Sequence, residues 1–166
     1  MPVTAQHVRE TVDAYLAEHP DENDSLSALI RTLDQAGDTI ASRKEFRGHV
    51  TAGAVLLRPD GRVLTIEHRV LREWLLPGGH VEECDTTLVD AALRELEEET
   101  GIAPDRVEPD SGLPLHIDVH TIPANPGRGS RGIFTSISGS CSARRPTWSS
   151  CEGRKSRRAH GSSPTR

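Results

Sequence analysis

Apolar residues recur at helical spacing from the start of the chain. Val8, Val12, Tyr15 and Leu16 share one face across residues 3–18, and His19-Pro20 ends the run. Asp24 or Ser25 can cap a second helix, with Leu26, Leu29, Ile30 and Leu33 on one face and Gly37 closing it. The pair reads as an N-terminal helical appendage over residues 1–45, ending in the charged connector Arg43-Lys44-Glu45. From His49 the period becomes that of a strand. Val50 to Leu57 is β-prone, Arg58-Pro59-Asp60-Gly61 is a turn, and Val63 to Ile66 pairs back as a hairpin. A strand or loop at Glu73–Leu76 then enters Pro77-Gly78-Gly79.

The helical period returns after residue 85. Asp85, Thr86 and Thr87 are all suitable N-cap types, and Thr87 with Asp90 imitates a capping box. Val89, Ala92, Leu93 and Leu96 predict the apolar stripe, and Gly101 is placed to stop the helix in a left-handed conformation. Leu113–Ile122 reads as another strand, with Ile117 and Val119 alternating against Asp118. Past Asn125-Pro126-Gly127 hydrophobic periodicity fades, with Ile133, Phe134 and Ile137 its last members. Residues 127–166 hold ten serines and eight arginines, the vocabulary of disorder or of a GC-rich coding sequence read out of frame. The organisation expected is therefore an appendage at 1–45, a domain core at 46–126 and a basic tail at 127–166.

Charge follows the same division. The net charge of −5 combines −13 over residues 1–126 with +8 over residues 127–166. A basic tail suggests nucleic acid. The helices, however, contain no clear basic recognition helix, so nucleic acid is not expected as a partner. With 34% hydrophobic and 3% aromatic residues, the core should be small and aliphatic. No apolar run is long enough to span a bilayer and the N-terminus has no apolar signal core, which predicts a cytoplasmic chain. Cys84, Cys141 and Cys151 lack metal-ligand spacing and read as free thiols.

The chemistry concentrates in Arg94-Glu95-Leu96-Glu97-Glu98-Glu99-Thr100-Gly101-Ile102. Glu95, Glu98 and Glu99 stand at i, i+3 and i+4, one face of a helix. Such a cluster repels itself unless a cation sits against it, and Mg²⁺ is a hard ion that takes oxygen ligands while also binding substrate phosphates. Glu97 projects away from the other three.

Residues Gly79 through Ile102 resemble the signature of the Nudix hydrolases, G-x5-E-x7-R-E-U-x-E-E-x-G-U, where U is aliphatic. Arg94, Glu95, Leu96, Glu98, Glu99, Gly101 and Ile102 fill its second half without a mismatch, and Trp74-Leu75-Leu76-Pro77-Gly78 is similar to the family's approach to the box. Gly79 to Arg94 is one residue longer than the signature, Asp85 stands where Glu is usual, and Cys84 stands where a glycine often precedes it. The additional residue falls in the loop or first helical turn. Asp85 keeps the charge with a shorter reach.

The resemblance, which covers residues 48–122, implies a Nudix-type α/β/α sandwich with a mixed sheet, here preceded by a short helical segment and followed by an incomplete or disordered C-terminal part. It implies metal-dependent hydrolysis of a diphosphate linkage in a nucleoside diphosphate joined to another moiety, with Mg²⁺ or Mn²⁺ as cofactor. Glu98 and Glu99 would be the main metal ligands, Glu95 a further ligand or general base, the Gly79 carbonyl an additional oxygen, and Arg94 the residue that orients the glutamates. A binding module without turnover, or a chain that has lost activity, is the alternative. The partner expected is a small nucleotide-type molecule. No membrane is expected, and a homodimer is left open.

Other side chains have weaker claims. His116 and His120 would share a face of a strand and read as surface residues, Asp118 and His80 are secondary candidates for substrate contact, and Trp74 is expected in the core rather than under a nucleobase. Gly78-Gly79 is not a dinucleotide fingerprint, because G-x-G-x-x-G is absent.

Overall fold

The structure is a computed structural model that describes residues 2–45, 47–68, 72–122, 132–143 and 159–162. Helix α1 spans Ala5–Glu18 and starts where the Thr4 side chain accepts a hydrogen bond from the His7 amide. A 3-10 turn at Pro20–Glu22 leads directly into α2, Asn23–Ala36. Neither expected cap acts there: α2 has no side-chain cap, and the Ser25 hydroxyl donates instead to the Glu22 carbonyl at 2.7 Å. The turn already supplies helical geometry, so a side-chain cap is dispensable. Gly37 does close α2, and a second 3-10 segment lies at Gly37–Ala41.

Strands β1 (Gly48–Leu57), β2 (Val63–His68), β3 (Glu73–Leu75) and β4 (Gly78–His80) precede helix α3 (Leu88–Thr100). Strands β5 (Val107–Ile122), β6 (Gly132–Ala143) and β7 (Ala159–Ser162) come after it. The sheet runs β3-β2-β1-β6-β5, with β4 against β1 and β7 against β2. Among the described residues β1 and β6 pair in parallel and the other neighbours antiparallel, so the sheet is mixed. Strand β5 is irregular between Pro109 and His116, where prolines have no amide to give to the ladder.

One face of β1 organises the core. Val50, Ala52, Ala54 and Leu56 alternate onto it and join a single hydrophobic cluster with Val8 and Val12 of α1, Leu26, Leu29 and Leu33 of α2, and Ala91 and Leu96 of α3. The N-terminal helices expected as an appendage thus help to cover the sheet. The cluster is aliphatic apart from Tyr15, in keeping with the composition.

The structure differs from expectation at three further places. The expected tail begins at residue 127, yet residues 132–143 form β6, flanked by β1 and β5, with Ile137 buried. The late apolar residues Ile133, Phe134 and Ile137 of the sequence are the available signal. The rest of the expected tail, beyond β6 and the short β7, lies outside the described residues. Trp74, expected in the core, is 46% exposed, because β3 is an edge strand. The apolar stripe of α3 is centred on Leu88, Ala91, Ala92 and Leu96, with Val89 and Leu93 only half-buried.

Helix α3 ends as its sequence requires. Gly101 has φ +75° in the left-handed region, and its amide donates to the Glu97 carbonyl at 2.7 Å. A Cβ there would meet nothing within 4 Å, so the cost of a side chain is conformational only. Gly101→Ala should destabilise the chain by about 1 kcal/mol in urea denaturation. An unchanged midpoint would show that α3 stops for another reason.

Candidate active site

Strand β4 delivers the Pro-Gly-Gly turn to the middle of the sheet, in register Thr51↔His80, Ala52↔Gly79 and Gly53↔Gly78. The loop of residues 81–87 then turns into α3. Of the three candidate caps, Thr87 is the one used. Its Oγ1 accepts from the Asp90 amide at 3.0 Å while the Asp90 carboxylate accepts from the Thr87 amide at 3.0 Å, completing the capping box. The Thr86 hydroxyl, ahead of Thr87, holds the Asp90 carboxyl below its ordinary range. The helix therefore begins at Leu88, one turn after Asp85, and carries Glu95, Glu98 and Glu99 in its second half.

Arg94 is the hub of the site. Its Nε and Nη2 donate to the two oxygens of Asp85 at 3.1 and 2.9 Å, a bidentate pair. Nη2 also donates to the His80 carbonyl at 2.8 Å, and Nη1 donates to Glu95 at 3.0 Å and to Glu98 at 3.3 Å. Asp85, first and foremost, raises the affinity of Arg94 for its proton against the opposing effect of burial, with Glu95 and Glu98 adding to it. The Asp85 side chain is 4% exposed and also accepts from the Glu82 amide at 2.8 Å. The shorter Asp thus reaches Arg94 because the loop folds inward on it, and Asp85 serves as the anchor of the hub.

The glutamates occupy three environments. Glu95 lies against β4, where a Cβ on Gly79 would come within 2.5 Å of its carboxylate and push it aside, while a Cβ on Gly78 would meet the β1 backbone at 2.8 Å. Glu99 accepts from the Gly78 amide at 3.1 Å. Glu98 is the open member, its side chain 58% exposed against 14% for Glu95. Glu97 is exposed and points elsewhere. As placed, no group of three His, Cys, Asp or Glu side chains among the described residues is close enough together to share one ion. Arg94 gathers Glu95 and Glu98, and the glycine turn holds Glu99.

The bidentate pairing of Asp85 with Arg94 is not foreseen from the sequence, and two further contacts escape it as well: the Gly78 amide on Glu99 and the His80 carbonyl on Arg94. Both are backbone groups, and the only signal for them is the pair of glycines that lets the strand approach the helix. Of the secondary candidates, only His80 adjoins the hub, through its carbonyl. His116 and His120 lie on edge strand β5, and the His120 Nδ1 is 3.1 Å from the Asp118 carboxylate in an exposed pair. His80 stacks beside His49 with ring centroids 5.1 Å apart.

This chain belongs to the NUDIX domain family, whose model matches residues 47–145. The match extends beyond the expected core boundary at 126 and takes in β6. The phosphatase NudJ of Escherichia coli K12 is 45% identical over 60 residues, which are 35% of this chain and 38% of that protein. The chain therefore spans about two-fifths of the curated relatives it matches. A NUDIX-family hydrolase from Clostridium perfringens superposes with a TM-score of 0.50 at 18% identity, over 69% of this chain and 81% of that one, and shares the fold. The architecture is the Nudix-type α/β/α sandwich with a mixed sheet, preceded by a short helical segment. No helix among the described residues is long and apolar enough to cross a membrane.

Proposed function

We propose that the chain hydrolyses a diphosphate linkage in a nucleoside diphosphate joined to another moiety, with a divalent ion, Mg²⁺ or Mn²⁺, at the acidic face of α3. The observation that carries this reading is the Arg94 hub, which binds Asp85, Glu95 and Glu98 in one network while Glu99 is fixed on the adjacent glycine turn. Every candidate donor is an oxygen, the type a hard cation takes, and the three carboxylates, held here by Arg94 and the Gly78 amide, would turn toward one another to share it. Glu98 and Glu99 would be the main ligands, Glu95 a further ligand or general base, and the Gly79 carbonyl an added oxygen. Such an ion supplies Lewis acidity and a water acidified toward neutrality.

The chain's own residues do the rest. Arg94 keeps two carboxylates aimed by charge-assisted hydrogen bonds and offsets their mutual repulsion. The Gly78 amide fixes Glu99. Glu95, held by Arg94 beside Gly79, would accept the proton of the attacking water as the bond between phosphorus and its bridging oxygen breaks.

The test is a panel of nucleoside triphosphates, nucleotide sugars and dinucleoside polyphosphates offered with Mg²⁺ or Mn²⁺. Turnover of at least one member, lost on chelation and restored by the ion, is expected. Saturable binding without turnover would show a binding module instead, and neither would show a chain that has lost the activity.

A further inference from the structure

A second feature opens beside the hub. A cleft of about 660 Å³ lies between the connector at residues 41–44 and the box loop at residues 80–84. His80 lines this cleft while its carbonyl accepts from Arg94, and Arg94 in turn donates to Glu98. The cleft thus begins two hydrogen bonds from the most exposed carboxylate of the acidic face. Its connector wall carries Arg43 and Lys44, both exposed and, among the described residues, neither held in an ion pair. Arg47 and Arg58, by contrast, are paired with Glu45 and Asp60.

The connector is anchored at both ends. Ile40 is 1% exposed, the Thr39 hydroxyl donates to Glu45 at 2.7 Å, and Arg47 clasps the same carboxylate. Two cations are therefore presented from a fixed turn, which lowers the entropy lost when they close on an anion. The acids that also line the cleft are differently disposed. Asp38 accepts from the Ala5 amide at 2.8 Å, at the start of α1. Glu82 and Glu83 are exposed on the opposite wall, where carboxylates suit hydroxyl groups rather than phosphate. The connector precedes the family match at 47–145, so this wall lies outside the matched domain.

We infer that this cleft receives the moiety beyond the scissile diphosphate, and that Arg43 and Lys44 select one that carries further phosphate. The inference rests on the proposed hydrolysis for its place in the reaction, but its binding arm stands apart from turnover. Isothermal titration of inorganic tripolyphosphate without divalent ion should show binding to the wild-type chain, weakened about tenfold or more in Arg43→Ala/Lys44→Ala. Arg62→Ala removes an exposed charge from the distant β1–β2 turn and should leave it unchanged. In turnover, the double variant should raise KM about tenfold for substrates with phosphate in the second moiety, hold kcat within about twofold, and leave substrates with an uncharged second moiety unaffected. Loss of tripolyphosphate binding equal in Arg62→Ala, or no loss in the double variant, would overturn the inference. If no substrate turns over, the proposed hydrolysis fails and the titration alone still decides the cleft.

Discussion

Glu98→Gln is expected to lower metal-dependent turnover by about 100-fold or more while leaving the fold intact. The substitution keeps shape and removes charge. Partners one step outside a metal site already cost about 10–100-fold when lost, and a ligand should cost at least as much. The structural penalty is small because the Glu98 side chain is 58% exposed and its 3.3 Å contact with Arg94 is an i,i+4 surface pair, worth only about 0.3–0.5 kcal/mol. The measurement is kcat at saturating Mg²⁺ beside a thermal unfolding curve. A coincident melting curve with collapsed kcat is the predicted pair. Unchanged kcat would remove Glu98 from the chemistry.

The largest expected effect on stability belongs to Asp85→Ala, about 3–5 kcal/mol, because it leaves Arg94 without its bidentate partner in a mostly buried position. Arg94 is 18% exposed and Asp85 is 4% exposed, so water replaces little of what is lost. Arg94 would still contact Glu95 and Glu98 but would lose the anchor that fixes its plane, so kcat should fall as well. Asp85→Asn keeps one acceptor and should fall between wild type and Ala. Urea denaturation of the three proteins checks this order. A loss below about 1 kcal/mol for Asp85→Ala would mean that the pair behaves as a surface salt bridge.

The parts of this molecule legible in its sequence are those governed by local rules. Thr87 with Asp90, the left-handed stop at Gly101 and the phase that puts Glu95, Glu98 and Glu99 together all derive from spacing within one helix. The hairpin of β1 and β2 likewise derives from alternation and a turn. Long-range placement is less legible. Whether α1 and α2 stand apart or cover the sheet depends on which face of β1 is apolar, and β1 is buried on both faces along most of its length, which blurs the alternation. Strand β6 carries Ser at four of its twelve positions and only Ile133, Phe134 and Ile137 as large apolar residues, so its place beside β1 comes from pairing rather than from propensity. Trp74 is misplaced by local reasoning for a related reason, since nothing in its neighbours marks β3 as an edge. In the site, the box foreshadows Arg94 with its glutamates, whereas the Asp85 anchor and the backbone groups of Gly78 and His80 become visible only once β4 and the loop of residues 81–87 are seen beside α3.

Every step proposed for the reaction depends on a divalent ion held at the acidic face of α3. Mn²⁺ titration monitored by electron paramagnetic resonance tests that binding without any substrate. The wild-type chain should take up the ion, and Glu98→Gln and Glu99→Gln should each weaken that uptake by about tenfold or more. Equal Mn²⁺ affinity in all three proteins would contradict it.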